Sequence, residues 1–176
     1  ISTHSQSIVS GLVPTSSVQY TLKLKNAKHH DKLPQSFDIV VYPLSRSWDE
    51  GVGLEMQDEG LNDGGFGNWN NSTSTTAWTL TGSDFITTMS ASQHFDVGNE
   101  DLEVNISPIV YAWLTGGLAN NGLLVKYIDA HETGSVDVFV KKFFSRHVHL
   151  AERSPRIEAV WEYVVQDDRN NIHYNV

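Results

Sequence analysis

Apolar and polar residues alternate along VQYTLKLKN, residues 18–26: Val18, Tyr20, Leu22 and Leu24 fall on one side, Gln19, Thr21, Lys23 and Lys25 on the other. A period of two with one polar face predicts a strand that packs one side into a core and wets the other. FDIVVYPL, residues 37–44, reads as a second strand after the polar connector AKHHDKLPQS. WTL, residues 78–80, reads as a short strand or edge. HFDV (94–97) and LEVNI (102–106) flank the turn-like VGNED, with Leu102, Val104 and Ile106 inward. LLVKYI (123–128) follows NNG, Asn120 to Gly122, whose residues tolerate positive φ. SVDVFVKKFFS (135–145) and RIEAVWEYVV (156–165) complete the strand signals.

The pattern changes period once. In SPIVYAWLTGG, Ser107 suits a cap, Pro108 suits the first helical position, and Gly116 and Gly117 end the run. Ile109, Val110, Trp113 and Leu114 share one face at spacings of three and four. The expected fold is therefore all-β: an antiparallel β-sandwich of about eight short strands with one short helix near residues 107–115. No internal repeat or linker divides residues 1–176, which read as a single domain. The chain opens on Ile1 rather than Met, which fits a processed N-terminus or a piece of a longer protein.

Composition narrows the function classes. The net charge is −9, and no Lys or Arg occurs from Ser47 to Val125. A nucleic-acid binder needs a basic stripe to neutralise phosphates, and the middle of this chain is the opposite. No apolar run approaches the ~20 residues that span a bilayer, so no membrane insertion is expected. The absence of cysteine excludes disulfides and cysteine-based zinc or redox chemistry. There is no Gly-x-Ser-x-Gly elbow, no phosphate-cradling glycine loop and no His-Glu-x-x-His, and no paired carboxylates stand out for glycoside hydrolysis. The absence of these motifs leaves no residue to assign a catalytic role and does not by itself exclude an enzyme.

Chemistry concentrates in SRSWDEGVGLEMQDEGLNDGGFGNWNN, residues 45–71, with six carboxylates, six glycines and the single basic residue Arg46. Asp49, Glu50, Glu55, Asp58, Glu59 and Asp63 are hard oxygen donors that suit calcium, although their spacing is not that of an EF-hand. The competing reading is a structural loop pinned to the sheets by Trp48, Phe66 and Trp69. A third reading is a ligand-binding loop. Exposed tryptophan faces beside Asn and Thr hold sugar rings, which makes Trp69, Asn70 and Trp78 candidate glycan-binding residues. Against this, tryptophan is usually largely buried, which favours Trp69 and Trp78 as packing residues. His147 and His149 would share a face if they lay in a strand, a geometry able to chelate a metal.

Six stretches in a fixed order also resemble a known family: TLKLKNA (21–27), YPLSRSWDEGVG (42–53), NW (68–69), ISPIVYAWLTGGLANNGLLVKY (106–127), KKFFSRH (141–147) and SPRIEAVWE (154–162). Together they resemble the DNRLRE-type β-sandwich modules, in the version found in virion structural proteins of tailed bacteriophages, notably those of large marine phages. The likeness covers residues 18–161, with one departure at His147-Val148-His149, where a Thr nearer the arginine is expected. The resemblance implies a jelly-roll-like fold similar to carbohydrate-binding modules. It further implies a non-enzymatic building block or decoration on capsid or tail, on the exterior of the particle and hence extracellular. Expected partners are other virion proteins and further copies of the chain; the alternative is a carbohydrate-binding or adhesin module touching host surface glycans. No cofactor is implied, calcium excepted. Within the shared motifs, Trp48 is expected to anchor the loop root in the core and Arg146 to pair with a carboxylate such as Glu50. Trp48, Arg146 and Trp161 are all expected to serve folding.

Overall fold

The computed structural model describes residues 18–28, 30, 32, 35–50, 67–80, 82–132 and 140–161. Among these, the elements run β1 (Gln19–Leu24), β2 (Phe37–Pro43), β3 (Ala91–Phe95), β4 (Leu102–Asn105), α1 (Ser107–Leu114), β5 (Leu123–Tyr127), α2 (Asp129–Glu132) and β6 (Arg156–Val160), with a 3-10 turn at Ala151–Arg153. The strands form two antiparallel three-stranded sheets, ordered β4-β1-β6 and β3-β2-β5. The fold is thus mostly β with few helices, and successive strands pass repeatedly from one sheet to the other.

The alternation in β1 sets the first sheet. Tyr20 and Leu22 are buried, while Lys23 on the opposite side pairs with Glu158 of β6 at 2.8 Å and Glu103 of β4 at 3.5 Å. Register places Leu22 beside Val104 and Ile157, so one apolar row crosses the sheet. In the second sheet Phe37, Ile39 and Val41 of β2 are all buried. Phe37 stacks on Phe95 of β3, with ring centres 4.9 Å apart and planes 9° from parallel. Residues of both sheets and of α1 belong to one hydrophobic cluster that includes Tyr20, Leu22, Phe37, Val41, Phe95, Leu102, Ile109 and Trp113. Burying such side chains supplies the main favourable contribution to folding, about 1.5–3 kcal/mol each. β2 is apolar on its second side as well: Val40 is buried, and Tyr42 meets Phe85 at 4.7 Å.

Helix α1 buries Ile109, Val110 and Trp113, with Pro108 in its first turn, as its spacing predicts. Ser107 does not cap it. Ile106 occupies the cap position without a side-chain bond. The Ser107 hydroxyl instead donates to Asn105 Oδ1 (2.6 Å) and accepts from the Tyr20 amide (2.9 Å), tying the helix start to β1. Tyr111 adds a second tie, its hydroxyl donating to the Val18 carbonyl at 2.7 Å.

Several sequence expectations shift. The WTL segment forms no strand; Trp78 sits beyond an isolated bridge between Asn71 and Ala77. The strand expected at 94–97 lies at Ala91–Phe95, because Glu100 folds the following residues into a turn, its carboxylate accepting from the amides of Asp96, Val97 and Gly98. Of the strand expected over 135–145, residues 135–139 lie outside the described residues. The remainder is not a strand but runs beside the end of β1 through one bridge, Asn26 to Phe143. His147 and His149 lie in a turn and a bend, both exposed. The shared strand face that would let them chelate does not exist.

The Lys141 ammonium closes that side of the fold. It donates to Asn26 Oδ1 (2.7 Å), the Gly98 carbonyl (2.8 Å) and the Glu100 carbonyl (2.7 Å). It also sits 5.0 Å from the ring centres of both Phe95 and Phe143. Desolvation lowers its pKa below the usual lysine value, against the raising influence of Glu100 and Asp101.

Candidate functional site: a tryptophan-lined cleft

After β2 the chain leaves the sheet through Leu44, whose amide donates to the Gly122 carbonyl at 3.1 Å. Trp48 follows, and its indole N–H donates to the Asn121 carbonyl at 3.0 Å. The turn must be glycine there: Gly122 has φ +95°, and a Cβ on it would stand 3.2 Å from Trp48 Nε1. Trp48 is therefore clamped at its edge rather than sunk in the core, and 42% of its surface stays exposed. The expected core anchor is in fact a rim residue.

The NWNNSTSTTAWT segment is folded on itself. Asn68 Oδ1 accepts from the amides of Asn70 and Asn71, both at 2.8 Å. Fully buried Ser72 donates its amide (2.8 Å) and its hydroxyl (3.1 Å) to the Thr76 carbonyl. The Trp78 indole N–H donates to the Asn68 carbonyl at 2.7 Å, which fixes that ring. The far end is held by Asp84, whose carboxylate accepts from the amides of Thr79 (3.1 Å) and Leu80 (3.0 Å) and faces Arg46 Nε at 3.5 Å. Desolvation pushes the Asp84 carboxyl up, but those amides and the guanidinium outweigh it and hold its pKa below the usual aspartate value.

Trp69 departs from expectation. It is 57% exposed, not packed inside. Its ring rests against Gly82, where a Cβ would come within 2.9 Å of Cζ2, and Gly82 has φ +100°. The next residue, Ser83, also has positive φ, 129°. Serine rarely adopts such backbone, at a cost on the order of 1–3 kcal/mol. The Ser83 hydroxyl is buried and finds no hydrogen-bond partner among the described residues, a second penalty of about 1–3 kcal/mol.

Trp48, Trp69, Trp78, Gly82, Ser83 and Asn68 line a cleft of about 240 Å³, together with Leu44 and with Leu123 and Leu124 of β5. Among the described residues, no charged side chain lines it. Of the expected ligand-binding residues, Trp69 and Trp78 meet here, while Asn70 does not line the cleft and contributes its carbonyl to the Trp78 amide (3.0 Å). Sequence reasoning missed Ser83 and gave Trp48 another role; the glycine at position 82 beside an aromatic-rich run was the available signal.

The calcium candidates divide. Asp49 and Glu50 are exposed, and Glu50 pairs with Arg146 Nη1 at 2.8 Å, the partner expected for it. Glu55, Asp58, Glu59 and Asp63 lie outside the described residues. Among the described residues, no three His, Asp or Glu side chains group as metal ligands, and no helix is long and apolar enough to cross a membrane. No protein-family model, curated protein or solved structure matches the chain.

Proposed function

We propose that the chain is a non-enzymatic structural protein of a tailed-bacteriophage virion. In this reading the two sheets form a jelly-roll-like β-sandwich, a single domain that serves as a building block or decoration on the exterior of capsid or tail. The observation that carries the reading is how the stretches of the phage-like resemblance meet one another. The 42–53 stretch bonds to the NNG turn through Leu44 and Trp48 and to the 141–147 stretch through Glu50 and Arg146. The 141–147 stretch bonds in turn to TLKLKNA, the Ala27 amide donating to the Lys142 carbonyl (2.9 Å) and the Phe144 amide to the Lys25 carbonyl (3.0 Å). This mutual bonding supports reading the shared stretches as a structural set.

Its work is then done by surfaces. Among the described residues, β3, β4, β5 and β6 each lie at the margin of a three-stranded sheet, and sheet margins are ready templates for association. At the end of β6, Val160 and the following Trp161 are exposed apolar residues. Many copies on one particle allow each contact to be weak while the assembly holds. The test is to probe purified particles of a phage that encodes the chain with antibodies raised against the recombinant protein. Gold label at repeated exterior positions, with the chain stoichiometric in the dissociated particle, is expected. Its absence from washed particles would overturn the reading.

A further inference from the structure

Three observations converge on the tryptophan-lined cleft. Its rings are held before any ligand arrives: Trp48 and Trp78 are tethered through their indole N–H groups, and Trp69 lies against a glycine that alone permits the approach. Its one deeply buried polar side chain, Ser83, is 4% exposed and carries a hydroxyl without a partner among the described residues, on strained backbone. Its described lining is uncharged. A strained residue bearing an unsatisfied buried hydroxyl is a feature that folding alone does not favour.

Among the described residues, the lining offers no counter-ion to a phosphate or a carboxylate. Broad exposed indole surface favours a ligand with an apolar C–H face, as a pyranose presents. At about 240 Å³ the cleft is below the roughly 300–1,000 Å³ of sites for drug-sized ligands, which suits one small ring rather than a long chain along a groove. We infer that this cleft is a carbohydrate-binding site for a single neutral pyranose unit, its C–H face stacked on Trp69. Trp48 and Trp78, tethered already, lose little freedom on binding, which offsets the small contact area. The site is independent of the virion role, since either a particle protein or a free module can carry it.

The experiment titrates the whole chain with methyl β-glucoside, methyl β-galactoside and methyl N-acetyl-β-glucosaminide. Tryptophan fluorescence and saturation-transfer NMR are the readouts, and choline is the control for an aromatic cation cage. Saturable binding of at least one glycoside is expected. Trp69→Ala, an exposed position that leaves the core intact, is expected to weaken it by about tenfold or more. Gly82→Ala is expected to weaken it by displacing the ring. No saturable response to any glycoside would overturn the site, as would binding undiminished by Trp69→Ala or choline binding in place of sugar.

Discussion

Replacing Lys141 with Met keeps an apolar stem of similar length but removes the ammonium. Three acceptors, Asn26 Oδ1, the Gly98 carbonyl and the Glu100 carbonyl, then lose a donor at 2.7–2.8 Å, and two rings lose a cation at 5.0 Å. Hydrogen bonds to a charged group contribute about 1.5–3 kcal/mol each, and each ring contact adds roughly 0.5–2 kcal/mol. These do not add, because one ammonium makes all of them and desolvation opposes its charge. Met also retains favourable contact with the rings. The expected net loss is therefore about 2–4 kcal/mol, or a fall in Tm of roughly 5–15 °C at this chain length. Urea unfolding of both proteins at pH 7 measures it. The lowered pKa adds a pH signature. As pH rises from the folded value towards the unfolded 10.5, the unfolded chain holds more protons than the folded one. Lys141 thus makes stability rise through that window, relative to the Lys141→Met variant. A loss smaller than about 0.5 kcal/mol, the range of ordinary surface substitutions, would refute the assignment of Lys141 as a tie between the sheets and the 98–100 turn.

Acid should destabilise the fold. Glu100 is desolvated, yet the amides of Val97, Gly98 and Asp96 hold its pKa below the usual glutamate value. Asp101 is likewise desolvated but lowered by Lys25 and the Asn26 amide, and Asp84 belongs with them. For depressed carboxylates the contribution is full above the unfolded values, 3.8 for Asp and 4.5 for Glu, and is lost as pH falls through the folded ones; urea midpoints between pH 7 and pH 2 trace it, and Glu100→Gln should flatten the slope. Arg146→Ala is expected to cost no more than about 1 kcal/mol in a thermal melt, because its pair with Glu50 is open to solvent; a larger loss would restore the folding role the sequence suggested for it. Ser83→Gly is expected to raise stability by about 1–2 kcal/mol, relieving positive φ and removing an unsatisfied hydroxyl; a lower Tm would show that Ser83 has a structural partner.

The sheets were legible where burial was one-sided. Tyr20 and Leu22 follow alternation because Lys23 faces acidic cross-strand partners, and α1 follows its three-and-four spacing. Legibility failed where long-range bonds override local pattern. Residues 140–145 depart from a strand role because Lys141 turns to carbonyls of the 98–100 turn. The end of β3 is fixed by the reach of Glu100, which no period encodes. At the cleft, Trp69 and Trp78 were visible as an aromatic-polar mixture, but average burial of tryptophan argued against the exposure of Trp69, while Trp78 is half-buried. What reverses that average is the Gly82–Ser83 backbone beneath the Trp69 ring, and its two positive φ angles cannot be read from a serine.

Cryo-electron microscopy of intact particles from a phage that encodes the chain tests the virion assignment most directly. Density matching the β4-β1-β6 and β3-β2-β5 sheets, repeated over the exterior of capsid or tail and touching neighbouring virion proteins, is the expected result. A particle map complete at side-chain detail in which every density belongs to other chains would contradict it.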